Sequence, residues 1–172
     1  MKLTIIPVGL LSVVAALLIA PMAQAAPDAK GSSDSKVATT IVLFAENRGI
    51  ARIENNQPGT DHGDLVHREL ALSKTRTGPI IGVAYSQATV VAYNPIAKVD
   101  VRRVDIERQL PGGWLFVGGM SKLPIGTVPQ PGWTDTYAVL GGTGKYAGAR
   151  GTERLELLED GKTFKLTITL LK

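Results

Sequence analysis

Apolar and polar residues alternate along most of the chain after position 36. The alternation is regular in Phe164–Leu170 and in Leu155–Leu157, where every second residue is apolar. A period of two is typical of β-strands with one buried face, and no segment shows the period of an amphipathic helix. The pattern therefore predicts an all-β domain.

The alternation predicts eight strands, separated by turn-forming residues such as Gly78-Pro79, Pro111-Gly112-Gly113 and Asp160-Gly161. They are expected near 38–46, 65–73, 80–93, 98–109, 114–121, 134–140, 150–158 and 163–171. In the fourth, Arg102-Arg103 interrupts the alternation, which predicts a β-bulge. Closing the sheet removes its exposed edges, so we predict an eight-stranded antiparallel up-and-down β-barrel, wide enough for one small ligand.

Residues 1–25 have the pattern of a secretory signal peptide: one basic residue, an uncharged run rich in Leu, Ile, Val and Ala, and an A-x-A site at Ala23-Gln24-Ala25. An uncleaved membrane anchor is the alternative, since Leu3–Ala20 approaches the length that spans a bilayer. Residues 26–36 have no apolar periodicity and predict a disordered leader, which leaves 37–172 as the domain. Cleavage implies a secreted or periplasmic protein without membrane contact.

Composition narrows the function classes. The 172-residue sequence contains no cysteine, which excludes disulfides and thiolate chemistry. Of its 19 Lys and Arg residues, 18 remain after cleavage, against 15 Asp and Glu residues, and they form no basic run. Such a mild excess of positive charge argues against nucleic acid as a partner.

Glycine is concentrated in Ala138–Thr152, where five of the eleven residues from 141 to 151 are glycine. Such a density indicates positive φ angles or close backbone packing. Gly142–Ala147 fits the dinucleotide fingerprint G-x-G-x-x-G/A, but a hairpin follows where that fingerprint requires a helix. A phosphate-binding loop is excluded because Val139 and Tyr146 occupy the positions of its first glycine and its Ser or Thr.

The same segment resembles the signature A-V-x-G-G-T-G-x-[YF]-x-x-A-R-G of the dirigent proteins and, more loosely, of the allene oxide cyclases. Gly63-Asp64-Leu65-Val66 and Gly82-Val83-Ala84 are similar to further blocks of those families, and the resemblance covers Thr39–Leu171. It implies a lipocalin-like barrel, a homo-oligomer (a trimer), and a hydrophobic small-molecule substrate processed without a cofactor.

The resemblance also implies an acid on the first strand, where allene oxide cyclases carry a glutamate and an asparagine. Glu46 and Asn47 are similar in type and place. Ile41, Leu43 and Ala45 share one face of this strand, and Glu46 shares the other with Phe44, where a desolvated carboxylate could exchange a proton with a substrate. A slip of one residue would instead make Glu46 a solvated charge at the strand end.

Arg150 matches the signature arginine, and the resemblance implies that its side chain lies in the pocket and takes part in catalysis. Alternatively, Arg150 forms a structural salt bridge at the glycine-rich corner. Other polar residues could reach a cavity and bind a ligand, although Asp64 could equally close a turn. These ligand-binding candidates are Asn47, Asp64, Tyr85, Tyr93, Asp135 and Tyr137.

We expect no metal site, because His62 and His67, with Asp61 and Asp64, lack a recognisable ligand spacing. The chain also departs from the plant families, which often have a disulfide pair and bulkier residues where this chain has Lys145 and Ala147-Gly148. Their second acidic residue has no clear counterpart here. The resemblance therefore supports the barrel more strongly than the reaction.

Three functions agree with these observations. The first is an exported barrel that binds a reactive hydrophobic intermediate and directs its cyclisation or stereoselective coupling, with an acid or base such as Glu46. The second is a barrel that only binds a hydrophobic small molecule, which requires no inward carboxylate. The third is a structural module whose barrel is filled by its own side chains.

Overall fold

A computed structural model describes residues 37–55, 62–94, 96–125 and 127–171 of the chain. The predicted signal peptide and leader lie outside the described residues. Eight strands and one short 3-10 helix make up the domain. The strands are β1 Val37–Ile53, β2 Leu65–Ser73, β3 Ile80–Asn94, β4 Val99–Leu110, β5 Gly113–Pro124, β6 Thr134–Gly142, β7 Gly151–Leu157 and β8 Thr163–Leu171. Within these ranges, no helix has the length and hydropathy to cross a bilayer.

The eight strands form a closed antiparallel barrel in chain order. Each strand pairs with the next, and β1 closes the ring against β8, with Leu43 opposite Leu166. The predicted fold class is therefore confirmed. Strand β1 extends seven residues beyond its predicted end at 46, since its second half passes through an irregularity between Asn47 and Gly49 and continues along β2.

The bulge predicted at Arg102-Arg103 is wrong. Strand β4 pairs with β5 without interruption, and the irregularity lies opposite, in β3, between Val90 and Ala92. The alternation in β4 is continuous because Asp100 and Arg102 are both buried on the inner face that also carries Val104. Because these inward-facing residues are charged, the sequence pattern suggested a shift in the alternation that the strand does not have.

The interior of the barrel is divided into two parts. Toward the end with the β2–β3, β4–β5 and β6–β7 connections, it is packed with aliphatic side chains from most of the strands. The fully buried members include Leu43, Leu72, Leu110, Leu115, Val117, Val139 and Ile168. The other part, toward the β1–β2, β3–β4, β5–β6 and β7–β8 connections, contains most of the buried charges.

The glycine-rich corner closes the aliphatic end. It consists of the 3-10 helix Gly144–Tyr146 between β6 and β7, and the buried ring of Tyr146 packs against the aliphatic core. Gly144 has a φ of 58°, and a Cβ there would collide with the Gly112 carbonyl oxygen; Gly151 has a φ of 149° and faces the Thr169 carbonyl in the same way. The corner requires glycine because neighbouring backbones approach closely.

We expect Gly144→Ala to destabilise the barrel by about 1–3 kcal/mol, since alanine adds both a strained φ and a backbone collision. Gly49→Ala is the matched control, because its Cβ would meet nothing within 4 Å; its effect should stay within about 0.5 kcal/mol. Urea unfolding measures both. Equal stability of the two variants would show that the corner adapts to a side chain.

Candidate functional site

The barrel contains a partly open cavity of about 70 Å³ in the part of its interior that the aliphatic core leaves unfilled. A water molecule needs about 10–15 Å³ on this kind of measure, so the cavity holds a few waters or one small guest. Its apolar wall includes Leu70, Val104, Leu123, Leu155, Phe164 and Leu166, and the β5–β6 connection adds Pro129 and Trp133. A larger guest requires these side chains to move.

The polar part of the wall consists of three arginines, one phenol and two hydroxyls: Arg68, Arg102, Arg108, Tyr137, Ser86 and Ser121. Among the described residues, no carboxylate lines the cavity. All charges that face the space are therefore positive, and the environment of each guanidinium decides what the cavity can bind.

Arg108 on β4 is joined to Glu153 on β7 across the barrel interior. The Arg108 Nε–H donates to Glu153 Oε2 at 2.6 Å, and its Nη2–H donates to Oε1 in a second hydrogen bond. Both side chains are buried, with 1% and 0% exposed. Two parallel hydrogen bonds satisfy the charges of both groups, which makes the pair a structural element with little capacity to bind a guest.

Arg102 is likewise neutralised, by Asp100 two residues earlier on the same strand. Its Nε–H and Nη2–H donate to the two carboxylate oxygens at 3.1 and 2.7 Å. Alternation along a strand places residues two apart on one face, which brings these side chains together inside the barrel. The pair leaves Arg102 with its charge balanced.

Arg68 on β2 differs from the other two. Its guanidinium carbon lies 6.0 Å from the centroid of the Phe164 ring, and its Nε is buried without a hydrogen-bond partner among the described residues. Burial lowers the pKa of Arg68, and the positive charge of Arg102 lowers it further, while Tyr137 acts in the opposite direction. Arg68 is a desolvated cation without a carboxylate partner in the described part of the chain.

Tyr137 on β6 donates a hydrogen bond from its hydroxyl to Asp135 Oδ2 at 3.0 Å. Burial raises the pKa of Tyr137, and the carboxylates of Asp135 and Glu153 raise it further. Ser121 lies beside the phenol without a hydrogen bond of normal geometry. Tyr137 therefore stays a neutral hydrogen-bonding group in the cavity wall at physiological pH.

The two predicted catalytic residues do not lie in this cavity. Glu46 is exposed on the outer face of β1, in agreement with the solvated alternative. Arg150 is exposed beside the glycine-rich corner, where its Nη1–H donates to the Ala149 carbonyl at 2.8 Å. Their catalytic roles stay predictions without support from the geometry of the cavity.

The predicted ligand-binding residues divide into two groups. Tyr137 lines the cavity, and Asp135 accepts a hydrogen bond from the Tyr137 hydroxyl without itself lining the cavity. Asn47, on the same face of β1 as the buried Ala45, has a buried Oδ1 without a hydrogen-bond partner in the described ranges, but it does not reach the cavity wall.

The remaining candidates lie elsewhere. Tyr85 and Tyr93 are exposed, by 44% and 45%, and do not line the cavity. Asp64 is buried and accepts a hydrogen bond from the Asn55 amide at 3.0 Å, which agrees with a residue that closes a loop. In the described part of the chain, no group of three His, Asp or Glu side chains could hold a metal ion.

Sequence reasoning missed the interior charges Arg68, Arg102, Arg108 and Glu153. Strand parity contained a signal for them. Arg68 has the parity of Leu70 and Leu72, and Glu153 has that of Leu155 and Leu157, so each shares the inward face of its strand. The signal was overlooked because charged residues are usually assigned to the solvent-facing side of a strand.

The barrel is similar to several solved structures. A pyocyanin demethylase matches with a TM-score of 0.63 at 21% identity, covering 77% of this chain and 99% of that one. A nonspecific heme-binding cyclase that catalyses a [4 + 2] cycloaddition in neoabyssomicin biosynthesis also matches at 0.63, with 15% identity over 78% of this chain and 67% of that one. The pterocarpan synthase dirigent protein matches at 0.55, with 16% identity over 88% and 98% of the two chains.

Neither a protein-family model nor a curated protein sequence matches the chain. At identities of 21% and below, these structural likenesses show a common fold. The resemblance seen in the glycine-rich signature is confirmed at that level: the chain folds as the barrel found in a dirigent protein and in cycloaddition-catalysing cyclases.

We expect Glu153→Gln to destabilise the protein by about 3–5 kcal/mol, because it leaves the buried Arg108 without a counter-charge. The double variant Arg108→Met with Glu153→Leu should recover most of this loss, since it removes both charges together. Urea unfolding measures both.

Glu156→Gln is the control for this pair. It removes a carboxylate from the exposed ion pair with Arg154, whose charged atoms are 3.8 Å apart, and should cost less than about 1 kcal/mol. An equally small effect of Glu153→Gln would contradict a structural role of the buried pair.

Tyr137 should make stability depend on pH under alkaline conditions. Its pKa is raised by folding above the ordinary value of about 10, so its contribution is complete below about pH 10 and is lost as pH rises toward the folded-state pKa. We expect the difference in unfolding free energy between the wild type and Tyr137→Phe to shrink from about pH 8 to about pH 11. A difference that does not change with pH would refute the shift.

Proposed function

We propose that the barrel binds a small, mainly apolar molecule and directs its cyclisation or coupling. The observation that carries the proposal is the cavity, whose apolar wall bears hydrogen-bond donors on one part of its surface. An apolar pocket with a few placed polar groups is the usual arrangement of a small-molecule site. The structural neighbours named as a cyclase and a dirigent protein support the choice of reaction class.

The cavity residues would act by position and by hydrogen bonding. The apolar wall would hold the reacting carbons of a flexible guest near each other and exclude water. The Arg68 guanidinium would donate to an oxygen of the guest and so fix the orientation of the guest for ring closure. Glu46 takes no part in this scheme, because it is exposed on the outer face of the barrel.

A barrel that only binds its guest is the second candidate. It is favoured by the absence of a carboxylate among the described residues that line the cavity, since no Asp or Glu side chain is then available in the wall for proton transfer. For either candidate we also propose export from the cytoplasm, because residues 1–25 have the pattern of a secretory signal peptide.

Occupation of the cavity can be tested with acetophenone, a neutral ring with one acceptor oxygen. Binding is followed by tryptophan fluorescence, to which Trp133 in the cavity wall and Trp114 outside it both contribute. We expect Ala88→Phe, which places a ring in the cavity, to weaken binding at least about tenfold. Ala138→Phe is the matched control on the exposed face of β6 and should bind like the wild type. Equal acetophenone binding by both variants, with both folded in urea unfolding, would contradict the cavity as the site.

Whether the protein directs a reaction can be tested separately. The substrates are polyenes, epoxides, and phenols treated with a one-electron oxidant, and the products are resolved by chiral chromatography. An excess of one enantiomer that disappears in Ala88→Phe supports the proposal. Product ratios that the wild-type protein leaves unchanged, while acetophenone still binds, favour the binding-only barrel.

A further inference from the structure

The charges around the cavity are not balanced, and the imbalance is confined to one residue. Arg108 and Arg102 each have a carboxylate bonded to two of their nitrogens. The charged and polar groups that act on Arg68 are Arg102, which repels it, and Tyr137. A desolvated cation without a counter-ion is costly, so this position favours the arrival of negative charge.

One hydrogen-bond donor of Arg68, its Nε–H, is also unused among the described residues. Its Nε lacks an acceptor in the described part of the chain, although it is buried. The Nε–H and a neighbouring Nη–H of a guanidinium form a planar fork that matches the two oxygens of a carboxylate. Arg108 shows the same geometry with Glu153 in this barrel.

The residues around Arg68 indicate the chemical character of the remainder of the guest. The Phe164 ring lies beside the guanidinium, and Leu70 and Val66 continue the apolar wall on the same strand. A space of about 70 Å³ is smaller than the roughly 150 Å³ cavity in which benzene binds, so a ring enters only when side chains of the wall move apart. Ser86 is the nearby wall residue on β3, opposite Arg68 in the strand pairing, and its hydroxyl can donate to the same oxyanion.

We propose that Arg68 is the anion-binding residue of the cavity, and that the guest is a small ring-bearing molecule with a planar oxyanion such as a carboxylate. This inference rests on the proposed small-molecule function of the cavity and assigns the chemical class of its ligand. The oxyanion supplies the negative charge that no described carboxylate supplies to Arg68, and the ring packs against Phe164 and the aliphatic wall.

Benzoate and benzamide form a matched pair of probes, equal in shape and different in charge. Isothermal titration calorimetry of the wild type should show benzoate binding at least about tenfold more tightly than benzamide, the effect of one charge-assisted contact. Arg68→Gln should abolish this preference by weakening benzoate binding about 10- to 100-fold while leaving benzamide binding nearly unchanged.

Arg103→Gln is the control, because it removes the same charge from the outer face, where Arg103 is exposed and paired with Asp105 at 3.1 Å. It should keep the preference for benzoate, which separates a local contact from the net charge of the protein. Arg68→Met, which keeps the length of the side chain beside Phe164, provides a second variant and should also lose the preference.

The outcomes distinguish this inference from the function on which it rests. Acetophenone binding without a preference for benzoate, or a preference that survives in both Arg68 variants, overturns the anion site alone. Failure of every probe to bind the folded wild type overturns the small-molecule function together with it. Loss of the preference in both Arg68 variants but not in Arg103→Gln establishes the assignment.

Discussion

The buried ion pair between Arg108 and Glu153 is the constraint on which the rest of the barrel interior depends. It joins β4 to β7, which are not neighbours in the ring, so it couples opposite sides of the sheet directly. It also marks a boundary: Leu110, the next inward residue of β4, belongs to the aliphatic core, and Arg108 itself lines the cavity. Two charges buried this deeply persist because each satisfies the other.

The ion pair also determines which interior charges can interact with a guest. Since Glu153 is committed to Arg108, and Asp100 to Arg102, the two carboxylates nearest the cationic wall are withdrawn from the cavity. Arg68 is left as the one arginine of the wall that has no carboxylate partner within the described ranges. The chemical character of the cavity thus depends on which arginines are paired with carboxylates, and a count of charged residues does not reveal it.

The fold was readable from the sequence because the aliphatic half of the barrel obeys simple alternation, as in Phe164, Leu166 and Ile168 of β8. The site was not readable, since its inward residues are charged and were assigned to the solvent side. In β4 the inward Asp100 and Arg102 even suggested a bulge that does not exist. Pairing across the barrel, as between Arg108 and Glu153, joins residues 45 positions apart and leaves no mark in local sequence patterns.

The glycine-rich corner and the aliphatic half lie at one end of the barrel, and the cavity lies toward the other. Ser86 of β3 and Ser121 of β5 line the cavity and do not belong to the hydrophobic core. They can therefore be exchanged to admit a different guest with little change in the packing that closes the ring. A barrel built in this way can acquire new ligands through changes in its wall and still retain the corner by which its fold is recognised.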